Sequence, residues 1–195
     1  MHEYIDLIRE IQDAARKFYN LRYQMSNGGN LSIRIPGKDW MLVKGTNIAF
    51  DEIEPETLVI TDFDGNVIEG TVKPSKEALL HGVLYREMDW VRAIMHCHSP
   101  YAAAWAARND LLEFSTHHSR MKLNEMVPVL DSHSYAVPKE FFPTILAAFH
   151  DNPGMNSFLL RAHGQVTLGK NMREAVHLAE LVEETAMISI LSQKL

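Results

Sequence analysis

The 195-residue chain contains one cysteine, Cys97, so no intrachain disulfide can form and a disulfide-stapled fold is excluded. The same shortage argues against a closed structural zinc site, which draws mainly on thiolates. Positive charge is also scarce. Nineteen Lys and Arg stand against 25 Asp and Glu, a net charge of −6, which does not suit a nucleic-acid binder working through a basic field. Long apolar runs are missing. The N-terminal stretch MHEYIDLIREIQDAARKFY is charged throughout, so neither a secretory leader nor a membrane span is read there, and a cytoplasmic location is expected. No repeat, linker or low-complexity segment interrupts the chain. What is present is ordinary for a globular protein: 46% apolar and 23% charged residues, enough for one packed domain over 1–195. The unusual count is ten histidines, several of them close together in sequence.

Apolar positions Tyr4, Ile5, Leu7, Ile8, Ile11, Ala14, Ala15 and Phe18 repeat with a helical period, predicting an amphipathic helix over 3–19. Gly28-Gly29-Asn30 ends it. Short β-rich runs at 31–35, 40–44, 57–62 and 65–70 follow, separated by Gly, Pro, Asn and Asp, and predict an antiparallel meander with a turn at Asp64-Gly65. Pro74 and Ser75 open a helix over 76–88, with Ser75 as N-cap. Residues 91–98 read as a strand and 101–108 as a helix. The stretch 111–134 has no clear period. A helix over 141–150 carries Pro143 in its first turn. Strands are expected over 157–164 and 165–169, and a long helix over 173–192. The sum is a single α/β domain with a central, largely antiparallel sheet flanked by helices.

Residues i and i+2 of a strand share a face. His96 and His98 therefore point one way and Cys97 the other, towards the core. Two imidazoles on one face suit a borderline metal such as Zn²⁺, although H-x-H alone is a weak signal. His163 ends a second apolar strand, where a polar side chain often faces a site. Glu77 falls in the first turn of a helix, a position that the helix dipole alone would favour, and His81 lies four residues on, on the same helix face. The glycine turn at 27–32 and the start of the Ser75 helix offer backbone amides that could cradle an anion, and 43–47 is a second polar turn.

Taken in order, GGNLSIR, MLVKGTN, KPSKE, HCHSPYAAAWA and LLRAHGQVTLG, followed by a long helix, resemble the class II aldolase/adducin family from about Gly28 onward. The resemblance implies that His96, His98 and His163 bind a divalent metal, zinc or another such as Mn²⁺ or Co²⁺. It implies Glu77 as an occasional fourth ligand and as the acid/base group. It places a sugar phosphate on Gly29, Asn30, Thr46, Asn47 and Ser75. The activity implied is metal-dependent cleavage of a ketose 1-phosphate, of the L-fuculose 1-phosphate kind, to dihydroxyacetone phosphate and a short aldehyde. The implied assembly is a homotetramer with sites between subunits, with no nucleic-acid or membrane partner.

Departures from the family pattern bear on the substrate. The second phosphate turn is Gly45-Thr46-Asn47, without the usual proline and with Asn where Gly is common; Asn tolerates positive φ. Lys76 stands where a second serine is frequent and offers a point charge to phosphate. His118 stands where aldolases place a tyrosine contributed by a neighbouring subunit, and an imidazole there can move a proton. The pair His117 and His118 reads equally well as loop histidines without a role, and His133 reads more readily as one. The chain ends soon after its last helix, without the tail of longer family members, from which a more open site or a smaller substrate is expected. A methylthioribulose-1-phosphate dehydratase, a pentulose-phosphate 4-epimerase and a non-catalytic adducin-like interaction domain are the alternative readings.

Overall fold

The computed structural model describes residues 2–134 and 136–193. Helix α1 (Ile5–Asn20) leads into strands β1 (Asn30–Arg34), β2 (Trp40–Lys44), β3 (Leu58–Asp62) and β4 (Val67–Glu69). Helix α2 (Ala78–Glu87), strand β5 (Ala93–Cys97) and the short helix α3 (Pro100–Ala106) come next. After β6 (Leu111–Leu112), α4 (His117–Lys122) and β7 (Val127–Leu130), the chain closes with α5 (Phe142–Asp151), β8 (Ser157–Leu160), β9 (Gly164–Gly169) and α6 (Met172–Ser192). The strands form one sheet in the order β4-β3-β2-β1-β5-β9-β8-β7-β6. Every neighbouring pair is antiparallel except β7 with β8. That exception follows from connectivity, because the chain returns from β7 to β8 through α5, and a parallel pair needs such a crossover. The expected α/β domain with a largely antiparallel sheet is what forms, and its first four strands are the expected meander.

Both faces of the sheet are covered. Ile8, Ile11, Ala14, Ala15 and Phe18 of α1 are buried against Leu31, Ile33, Leu42 and Met95, with Met172, Ala175 and Ala179 of α6 alongside. Burying each large side chain of that stripe contributes about 1.5–3 kcal/mol. On the other face, α2 and α5 cover Met41, Val43, Val59, Ile94 and Val166. Strand β5 runs between the layers, so its side chains alternate: Ala93, Met95 and Cys97 enter the α1/α6 core, while Ile94 packs on the α2 side. His96 shares the face of Ile94. Cys97 is fully buried, as the strand period requires.

Three local expectations need correction. The run 157–164 is not one strand. β8 stops at Leu160, and residues 161–163 form a tight hairpin into β9, with Leu160 opposite Gly164 and the His163 amide donating to the Leu160 carbonyl at 3.1 Å. Ala162 takes the left-handed conformation there, at φ +50°, and no Gly or Asn marks it in the sequence. The helix expected from residue 76 begins at Ala78, with Glu77 in the N-cap position and no side-chain cap. An isolated bridge between Gly45 and Pro74 keeps the preceding residues extended, and the Ser75 amide donates to the Lys44 carbonyl. Finally, the unperiodic stretch 111–134 holds β6, α4 and β7, elements too short to leave a pattern.

Candidate active site

Sheet register assembles the site. Asn30 of β1 lies opposite His96 of β5, and the β8–β9 hairpin delivers His163 beside them. His96, His98 and His163 form a triangle with ring centroids 5.0, 4.8 and 4.8 Å apart. One ligand atom from each ring lies within 4.8 Å of the others. Gly164 permits this approach, because a Cβ on it would sit 2.4 Å from the Cys97 carbonyl oxygen. The His96 Nδ1 lies 2.9 Å from the Gln165 carbonyl. A carbonyl only accepts, so Nδ1 carries the hydrogen and Nε2 is left bare towards the centre of the triangle.

Glu77 joins the cluster from the start of α2. Its Oε2 accepts a hydrogen bond from Asn30 Nδ2 at 2.8 Å and stands 3.4 Å from His96 Nε2. Burial pushes its carboxyl up, but the adjacent His96 and His163 rings and the Asn30 amide outweigh burial and hold it at about 2. Burial also lowers the His96 ring, and it holds His98 and His163 at about 4. At neutral pH the site therefore presents an ionised carboxylate and bare imidazole nitrogens, the protonation states that metal ligands need.

The donor set fits a divalent cation. Two ligands each about 2.0–2.1 Å from a tetrahedral zinc lie roughly 3.3 Å apart. The spacing of His96 Nε2 to His98 Nε2 is 3.1 Å and that of His96 Nε2 to Glu77 Oε2 is 3.4 Å. Without a cation, a single hydrogen between His96 and His98 is the most that this nitrogen pair can share, whereas a cation engages both nitrogens together with Glu77.

A cavity of about 190 Å³ takes in Gly29, Asn30, Thr46, Asn47, Ser75 and Lys76 together with Glu77 and the three histidines. Asn47 has φ +59°, so the asparagine does occupy the left-handed position usually left to glycine. Gly29 is also left-handed, at φ +61°, and a Cβ there would meet Gln24 Oε1 at 2.4 Å and the His96 carbonyl at 2.9 Å. The amides of Thr46 and Ser75 donate to the carbonyls of Lys73 and Lys44 and so are not open to an anion. The bridge between the two segments uses them up, which leaves the Thr46 and Ser75 hydroxyls as their polar offering.

His118 is not brought into this cavity. It lines a separate one of about 670 Å³ with residues of α6, its side chain 58% exposed and its Nδ1 3.9 Å from Glu184. His117 is exposed, and His133 pairs with Asp131 at 3.0 Å in solvent.

Sequence reading missed two residues of the site. Lys44, at the end of β2, is buried beneath both polar turns. Its Nζ donates to the carbonyls of Ile48 and Asn27, and burial lowers it to about 8. A lysine closing an apolar strand was the available signal. Gln24 is also buried. Its Oε1 accepts the His98 amide at 2.8 Å and pins the glycine turn to the end of β5.

Residues 9–190 match the family model described as the class II aldolase and adducin N-terminal domain. The chain belongs to that family. An L-fuculose phosphate aldolase of Methanococcus maripaludis is 29% identical over 191 residues, covering 96% of this chain and 98% of that protein. A 3-oxo-tetronate 4-phosphate decarboxylase of Haemophilus influenzae is 31% identical over 180 residues, covering 89% and 81%. Among solved structures, an L-fuculose 1-phosphate aldolase superposes with a TM-score of 0.87 at 28% identity, covering 97% of this chain and 87% of that one. Class II aldolases depend on a metal, and the histidine triangle is where this chain could hold one. No described helix is long and apolar enough to cross a membrane.

Proposed function

We propose that this class II aldolase family member is a divalent-metal-dependent lyase that cleaves a ketose 1-phosphate of the L-fuculose 1-phosphate kind to dihydroxyacetone phosphate and a short aldehyde. The observation that carries the reading is the placement of Glu77, an ionised acid held by Asn30 and facing three convergent imidazoles in one cavity with two polar turns. His96, His98 and His163 would hold the cation, zinc or alternatively Mn²⁺ or Co²⁺. When bound, it supplies a Lewis acid that polarises the substrate carbonyl and stabilises the enediolate left by carbon–carbon cleavage. The Thr46 and Ser75 hydroxyls and the charges of Lys44 and Lys76 anchor the phosphate, so the non-reacting end fixes the position of the scissile bond. Glu77 transfers the proton at the enediolate carbon, and Asn30 holds its other oxygen in place.

The decarboxylase relative favours a second reading. A 3-oxo acid phosphate that loses carbon dioxide leaves the same enediolate, so the proton-transfer half is shared and only the departing group differs. On either reading the protein is a homotetramer in the cytoplasm, and His118, which points away from its own site, serves a neighbouring one. Incubating the metal-loaded protein with a panel of ketose 1-phosphates and with 3-oxo-tetronate 4-phosphate separates the two. Release of dihydroxyacetone phosphate with an aldehyde supports the aldolase, and release with carbon dioxide supports the decarboxylase. Failure to exchange the C3 hydrogen of dihydroxyacetone phosphate with solvent contradicts both.

A further inference from the structure

Behind Glu77 lies a buried polar cluster that the mechanism above does not use. His81 sits one helical turn beyond Glu77 and donates its amide to the Glu77 carbonyl at 3.1 Å. Its ring is 1% exposed. His81 Nδ1 lies 2.8 Å from Ser32 Oγ, Ser32 Oγ lies 2.8 Å from the Tyr85 hydroxyl, and that hydroxyl lies 2.9 Å from the Ser32 carbonyl. Three contacts need three hydrogens. The Ser32 carbonyl can only accept, so the Tyr85 hydrogen goes there. The Ser32 hydrogen then goes to the Tyr85 oxygen, and Ser32 Oγ must receive its hydrogen from His81 Nδ1. The count fixes the tautomer: Nδ1 is protonated and Nε2 is a bare acceptor.

That bare Nε2 is buried without a hydrogen-bond partner, and so is Glu77 Oε1. A buried polar atom left unsatisfied loses its hydration with nothing in return, and here two acceptors are left at one helix start. Two acceptors cannot satisfy each other; they need a shared hydrogen donor.

We propose that His81 is a positioning residue for Glu77: one water molecule donates one hydrogen to His81 Nε2 and the other to Glu77 Oε1, the shared donor that both acceptors need, which leaves Oε1 a lone pair for the substrate proton. Asn30 fixes Oε2 and His81 fixes Oε1, so the carboxyl group is held at both oxygens. The proton stays on Glu77 and returns to the same carbon; His81 gains none. This proposal rests on the enediolate reading for its catalytic consequence, but the tautomer stands apart from it.

The test uses two variants. Asparagine places an amide where Nδ1 was, so His81→Asn keeps the Ser32 bond and loses the Nε2 acceptor. Glutamine reaches the Nε2 position, so His81→Gln keeps an acceptor there. Exchange of the C3 hydrogen of dihydroxyacetone phosphate is followed in deuterium oxide by proton NMR, with metal content and ligand affinity measured alongside. His81→Asn should exchange about 100-fold more slowly, at the low end of what a positioned acid/base group supplies, with metal content and affinity within twofold of the parent. His81→Gln should recover to within about tenfold. Should His81→Asn not fold, the histidine ring-nitrogen spectrum of the metal-free parent protein decides, with a protonated Nδ1 and a bare Nε2 at His81 expected. A protonated Nε2, or His81→Asn exchanging within twofold of the parent, overturns the proposal. A parent protein that exchanges nothing overturns the enediolate reading instead.

Discussion

Two groups of histidines sit in this chain and differ in almost every physical respect. His96 and His98 lie at and just beyond the end of β5 and His163 in a hairpin about 65 residues further on, yet their ring centroids lie within 5.0 Å of one another. Burial holds them neutral, and no carboxylate except Glu77 is within ion-pair reach among the described residues. His118 and His133 are adjacent to surface acids instead, 3.9 Å from Glu184 and 3.0 Å from Asp131, with side chains 58% and 85% exposed. An exposed imidazole beside a carboxylate is satisfied by water and a weak ion pair. Three ring nitrogens converging at the edge of the core are not, and a cation placed between them satisfies all three at once. The contrast separates a site from a surface by energetics, without reference to sequence position.

The contrast can be broken most severely at its buried end. His96→Ala or His163→Ala should lose stoichiometric metal and at least about 1000-fold in turnover, in line with removing a group on which the whole reaction depends; elemental analysis and a lyase assay check this. Glu77→Gln should bind dihydroxyacetone phosphate yet exchange its C3 hydrogen about 100–10,000-fold more slowly, read by proton NMR. Lys44→Met should raise KM for the phosphorylated substrate by about 10–100-fold, the equivalent of one charge-assisted hydrogen bond, while metal content stays unchanged.

How much of this was legible follows from which physical signals leave a trace in sequence. Strand alternation is local, so the shared face of His96 and His98 and the inward course of Cys97 could be read directly. The turn at Asn47 was legible because few residues other than glycine enter positive φ readily. The hairpin at Ala162 was not, since an alanine at φ +50° is imposed by the β8–β9 pairing and carries no residue signal. Lys44 carried no reading of its own beyond closing the expected strand over 40–44, because its burial depends on two turns folding over it. The proximity of Glu77 to the triangle came only from resemblance, as Asn30 and His96 are matched by a register between strands remote in sequence. The short elements between 111 and 130 fell below the length at which any period can be counted.

Smaller effects sharpen the comparison. Burial holds His81 at about 3 and His98 and His163 at about 4, against 6.5 for an ordinary imidazole. The unfolded chain therefore takes up protons between pH 6.5 and 4 that the folded metal-free chain refuses. Stability of the metal-free protein should fall as pH drops through that window, each buried histidine contributing at most about 1.4 kcal/mol per pH unit; urea midpoints at pH 7 and pH 4.5 measure it. At the exposed end, His133→Ala should change stability by no more than about 0.5 kcal/mol, seen as an unmoved thermal midpoint, and should leave metal content intact.

The most direct test of a cation held by three remote imidazoles is cobalt substitution followed by visible absorption, in the parent protein and in His96→Ala, His98→Ala and His163→Ala. One cobalt per chain with a tetrahedral-type spectrum, lost in each of the three variants, is the predicted result. A parent protein that takes up no stoichiometric cobalt, or a His163→Ala protein with an unaltered spectrum, would contradict it.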